Sequence, residues 1–105
     1  MQQERLNLLE QFVKEEPEDP FNWYALALEE TKRDSKRATE LFEHLLTNHP
    51  DYLPAYYHAG NLHLFLGNTE KAKEILQTGV DLAKQKGEQK AMGELITLLD
   101  ELVDW

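Results

Sequence analysis

The chain repeats itself at a fixed distance. Ala38, Phe42 and Leu45 recur as Ala72, Leu76 and Gly79, each 34 positions later, and Pro17 recurs as Pro50 after 33. Trp23 stands six residues beyond the first of these prolines and Tyr56 six beyond the second. This constrains the fold more than any other feature, because a short repeating unit has an apolar face that it cannot bury alone. Neighbouring units must stack and share a core. The residue types fit that demand. Trp23 and Tyr56 offer large contact areas, while Ala27, Gly60, Ala38, Ala72 and Gly79 let backbones approach closely.

Helical periodicity runs through nearly the whole chain and predicts six helices without a strand. Leu6, Leu9, Phe12 and Val13 form an apolar stripe on the first. Glu15 to Pro20 then breaks the helix, with Asp19 as a cap and Pro20 suited to the first helical position, where no N–H is needed. A second helix is expected from about Phe21 to Thr31, with Trp23, Leu26 and Ala27 facing inward. Ser35 is expected to cap a third, bearing Ala38, Leu41, Phe42, Leu45 and Leu46. The fourth runs through Tyr56, Ala59, Gly60 and Leu62 to about Leu66. Gly67 and Asn68 make the next turn, Gly67 by tolerating positive φ and Asn68 by capping the fifth helix. That helix carries Ala72, Ile75, Leu76, Gly79, Val80 and Ala83, and its closing lysines suit the negative end of the helix dipole. The last is expected from about Glu88 to Asp104, with Met92, Leu95, Ile96, Leu99, Leu102 and Val103 on its apolar side.

Composition removes several function classes. The 105 residues suit one domain, and 41% hydrophobic content supports a modest core. Eleven Lys and Arg against twenty Asp and Glu give a net charge of −9, which repels nucleic acid and anionic lipid. With no cysteine there is no disulfide framework, thiolate zinc site or cysteine nucleophile, which fits a reducing compartment. The polar N-terminus lacks the apolar core of a signal peptide, and no apolar run approaches the ~20 residues of a membrane span. The reading is a soluble, cytoplasmic protein.

The stretch from His58 to Ala72 holds the most chemistry-like pattern. His58 and His63 are five apart, about 140° in helical projection, whereas a helical zinc motif needs histidines at i and i+4. His44, His49 and Asp51 form a non-specific group around a helix end. Lys71 follows Glu70 rather than glycine and lies between helices, so no phosphate loop is formed. Glu15–Glu16, Glu29–Glu30 and Asp100–Glu101 read as solvated helix faces rather than a catalytic constellation. No metal, cofactor or enzymatic activity is expected.

The repeats resemble the tetratricopeptide family. Trp23, Leu26 and Ala27 occupy the places of its Trp-x-x-Leu-Gly pattern, and Ala38, Phe42, Leu45 and Pro50 follow at its spacing. The second unit supplies Tyr56, Ala59, Gly60, Gly67, Ala72, Leu76 and Gly79. Three places depart from the pattern: the first unit is one residue short at its turn, the late aromatic of the first helix is Glu30 or His63, and no proline closes the second unit. The resemblance implies an all-α superhelical solenoid of about six antiparallel helices forming a single domain. It divides into a half-repeat helix over 1–16, repeats over 19–50 and 51–84, and a capping helix over 88–105, aligned by Met92 and Gly93 with Ala59 and Gly60.

In that family the first helices of repeats line a concave groove that accepts a peptide or partner helix. The positions carried over are Phe21, Tyr24, Leu28, Thr31 and Lys32, then Tyr57, Asn61, Leu64 and Phe65, with Lys90, Glu94 and Thr97 extending the surface. Tyr24, Leu28, Tyr57, Asn61, Leu64 and Phe65 are the expected binding residues. Asn61 matches one place of the family's carboxylate clamp, but Tyr24 and Tyr57 stand where that clamp uses lysine or asparagine. An apolar or basic segment is therefore the expected ligand. The alternative is a structural unit that forms a homodimer through the same apolar strip, so monomer and dimer both remain open.

Overall fold

A computed structural model describes residues 2–102. Six helices follow one another: α1 (Gln2–Glu15), α2 (Pro20–Thr31), α3 (Ser35–Asn48), α4 (Pro54–Phe65), α5 (Thr69–Lys86) and α6 (Gln89–Asp100). No strand occurs among the described residues. The chain divides into two compact units, Met1–Pro50 and Asp51–Trp105. The division falls at the boundary between the two repeats read from the sequence.

In the first unit α2 packs on both α1 and α3. Its core is Leu6 and Val13 from α1, Leu26 and Ala27 from α2, and Ala38, Leu41, Phe42 and Leu45 from α3. The spacing of three and four along each helix brings these onto one stripe, and each fully buried large side chain contributes about 1.5–3 kcal/mol. Trp23 is only half-buried. Its indole Nε1 donates to the Pro17 carbonyl at 2.6 Å, and its ring lies 3.8 Å from that of His44. The Asn22 amide donates to the carbonyls of Phe12 and Glu16, tying the end of α1 to the start of α2.

In the second unit α4, α5 and α6 pack mutually. Here the small residues explain the approach. A Cβ added to Gly60 would lie 2.5 Å from Leu76 Cδ2, and one added to Gly79 would lie 2.7 Å from Tyr56 Cβ. Gly67 and Gly87 end α4 and α5 at φ +83° and +71°, a region costly for residues with a Cβ. In each case the glycine N–H bonds three residues back and the following N–H five back, satisfying the last carbonyls of the helix.

Several expectations need correction. Asp34, not Ser35, caps α3: its carboxylate accepts from Arg37 N at 3.1 Å, and Ser35 is already helical. Asn68 occupies the cap position of α5 without a side-chain cap bond, its amide lying 3.3 Å from His63 Nδ1 instead. Phe12 and Ile96 are exposed rather than inward, while Leu98, absent from the expected stripe, is buried. The α6 helix stops at Asp100 rather than near Asp104; Val103 and Asp104 lie outside the described residues.

The largest correction concerns Glu29–Glu30. Glu30 is fully buried. Arg33 Nε reaches one carboxylate oxygen at 2.7 Å and Arg37 Nη1 the other at 2.9 Å, and Arg37 Nη2 also pairs with Glu10 of α1. Glu29 accepts from Arg5 Nε at 2.9 Å. Arg37 holds the Glu10 carboxyl below its usual range through this hydrogen bond, against the opposing pull of burial. A network thus stands where the repeat pattern has an aromatic side chain.

Candidate functional site

Helical geometry decides which expected groove residues share a face. On α2, Phe21, Tyr24 and Leu28 fall at steps of three and four and lie on one side. Phe21 is 58% exposed, Tyr24 and Leu28 are half-buried, and the Phe21 and Tyr24 rings are 6.4 Å apart. Thr31 and Lys32 are exposed, but the Thr31 hydroxyl donates to the Ala27 carbonyl at 2.8 Å. Burial raises the Tyr24 phenol above its ordinary value, so it stays protonated near neutral pH.

On α4, Tyr57, Asn61, Leu64 and Phe65 recur at four, three and one, again on one side. Tyr57 and Asn61 are exposed, Leu64 is half-buried, and Phe65 is 83% exposed. The Asn61 amide has no hydrogen-bond partner among the described residues, leaving two donors and an acceptor for a ligand backbone. On α6, Lys90, Glu94 and Thr97 are exposed, and the Thr97 hydroxyl is engaged with the Gly93 carbonyl. Each unit therefore carries its own strip of apolar rings with few charges.

The histidines have local roles. His44 stacks on Trp23, and its ring Nδ1 faces the Asn48 amide at 3.3 Å. Tyr57 meets His58 edge-on at 5.5 Å. Among the described residues no three His, Asp or Glu side chains gather as metal ligands.

Burial lowers the His58 pKa below the usual 6.5. The folded state then resists a proton that the unfolded state accepts, so stability falls as pH drops through about 6.5. Urea midpoints should be lower at pH 5.5 than at pH 7.5, with a smaller gap in His58→Gln. An equal gap in both proteins would assign the effect to other groups.

A tetratricopeptide repeat profile matches residues 31–99. Two structures of a tetratricopeptide repeat domain protein from Salinibacter ruber are similar to the chain. The solution NMR structure is 41% identical with a TM-score of 0.77, covering 82% of this chain and 88% of that one. The crystal structure is 39% identical with a TM-score of 0.76, covering 80% and 96%. No curated protein matches the sequence. The chain belongs to the tetratricopeptide repeat family, whose fold generally mediates protein–protein interaction. Among the described residues no helix is long and apolar enough to cross a membrane.

Proposed function

We propose that the protein is a non-enzymatic module that binds a peptide or helix of a partner protein along the groove face of its first helices. The observation that carries this reading is the display of large apolar side chains at family groove positions: Phe21, Tyr57 and Phe65 lie in water rather than in the core. Exposed rings of this kind are the residues that dominate binding energy when a partner desolvates them. Tyr24 and Leu28 extend the strip on α2, and Leu64 extends the one on α4, where Asn61 holds the ligand backbone. The strip is apolar and the chain around it acidic, which favours an apolar segment with basic flanks. A cytoplasmic site of action belongs to the same proposal.

The test begins with affinity capture of a partner from native lysate and titration of its purified binding segment. Tyr57→Ala and Phe65→Ala should each weaken binding about fivefold to thirtyfold, the effect of losing ~1–2 kcal/mol at an anchor. Circular dichroism should be unchanged, because both side chains are exposed. Full affinity in both variants would overturn the assignment.

A further inference from the structure

Among the described residues the repeat register leaves one face of α1 and one face of α6 uncovered. Positions 33 apart align Leu26, Ala59 and Met92, and likewise Ala27, Gly60 and Gly93. Within their units the first two members of each set are buried, on helices that pack against the helix that follows. Leu76 of α5 closes over Gly60 so tightly that no Cβ fits. At Gly93 a Cβ would meet nothing within 4 Å. Met92 beside it is half-buried, and Ile96, in register with His63, is 37% exposed. Among the described residues, the first-helix packing face of α6 is thus covered by no second helix.

The α1 helix shows the converse. The same 33-residue shift aligns Leu8, Leu9 and Phe12 with Leu41, Phe42 and Leu45 of α3, all of which are buried against the core. On α1 Leu9 is only half-buried, and Leu8 and Phe12 are exposed, Phe12 at 41%. Its buried residues, Leu6 and Val13, lie within about 60° of Leu9 in helical projection at one margin of the stripe, and Leu8 and Phe12 lie at the other margin. Among the described residues, no first helix covers this second-helix face.

We propose that α1 of one copy docks on α6 of a second copy, the two faces pairing head to tail as a repeat. The pairing follows the internal one, in which Tyr56 meets Gly79 and Gly60 meets Leu76 in antiparallel order. In that register Leu9 of one copy covers Gly93 of the other, and Phe12 lies near Gln89. Charge agrees with this register: exposed Lys90 falls near Glu15 and Glu16, and exposed Asp100 near Arg5, which also pairs with Glu29 of its own copy. Such a contact is heterologous, so each copy retains one free end unless a ring closes. One helix face is a small interface, below the roughly 1,200 Å² of stable complexes, which places the association in the weak class.

Sedimentation equilibrium over about 10 µM to 1 mM, the range for weak association, tests the contact. The wild-type average mass should rise above the 12.3 kDa monomer with concentration. Gly93→Arg enters open space and Phe12→Glu alters an exposed side chain, so both should keep native circular dichroism and remain monomeric. Mixed together, they retain one intact α6 face and one intact α1 face, and should form a dimer but nothing larger. A wild type that stays monomeric, variants that still associate, or a mixture that does not pair would each overturn the proposal. Tyr57→Ala and Phe65→Ala should leave this association unchanged, which separates it from failure of the peptide-binding reading.

Discussion

Replacing Gly60 by arginine should lower the melting temperature by roughly 10–20 °C, whereas the same residue at position 70 should shift it by no more than about 2–4 °C. The difference lies in what surrounds each site. The first atom added at Gly60 would stand 2.5 Å from Leu76 Cδ2 and 2.6 Å from Cγ. Leu76 has no exposed surface and cannot swing aside, so α4 and α5 must separate. Overpacking of this kind costs about 1–3 kcal/mol, and a guanidinium forced against the core adds a desolvation cost. Losing a helical glycine returns at most about 1 kcal/mol. The net, near 3 kcal/mol, is a large fraction of the stability of a small domain. Glu70 is 91% exposed and its carboxylate lies 3.6 Å from Lys73 Nζ, a surface pair of little worth. Thermal melts followed by circular dichroism decide the matter: equal shifts at the two positions would show that α4 and α5 do not depend on the missing Cβ.

The elements were legible in the sequence where a local rule and the repeat pointed the same way. Leu26, Ala27, Ala38, Phe42, Ala59, Leu76 and Ala83 all appear on helical stripes and are all buried. Phe12 and Ile96 depart from expectation because periodicity identifies a stripe without saying whether another element covers it. On α1 and α6 the stripe is wider than the neighbour. Asp34 and Ser35 are both good cap residues one position apart, so composition alone could not choose between them. The groove residues were placed by their register in the repeat, and their shared faces follow from helical steps. Their exposure, which gives Phe65 and Phe21 their interest, follows from tertiary packing and had no local signal.

Glu30 was the least legible residue because its partners are scattered. Arg37 lies across a turn and Glu10 on the preceding helix, so no short window of sequence contains the network. A charge-rich corner with a glutamate pair looks solvated until folding brings the arginines over it. One signal was present: Glu30 stands where the repeat pattern has an aromatic, and a polar residue at a packing position requires partners if it is to be buried.

That network sets the second large effect. Arg37→Met should destabilise the protein by about 3 kcal/mol, because it takes the donor from one oxygen of a carboxylate with only 1% side-chain exposure. Arg33 continues to hold the other oxygen and keeps the loss from being larger. The methionine preserves most of the stem's apolar contact, so packing loss alone would be smaller. Adding Glu30→Leu should restore much of the stability, since replacing a buried ion pair by apolar side chains is often neutral or favourable. The freed groups, Glu10 and Arg33, are partly exposed and can be hydrated. Urea unfolding of the single and double variants measures the coupling, and the double variant must be the more stable of the two. Acid dependence supplies an independent check. Because Glu10 titrates below its usual range when folded, its stabilisation is present above the unfolded value and lost as pH falls through the folded one. Without Arg37 that part of the acid sensitivity should disappear; a double variant no more stable than Arg37→Met would instead show that the arginine acts through packing and not through the buried carboxylate.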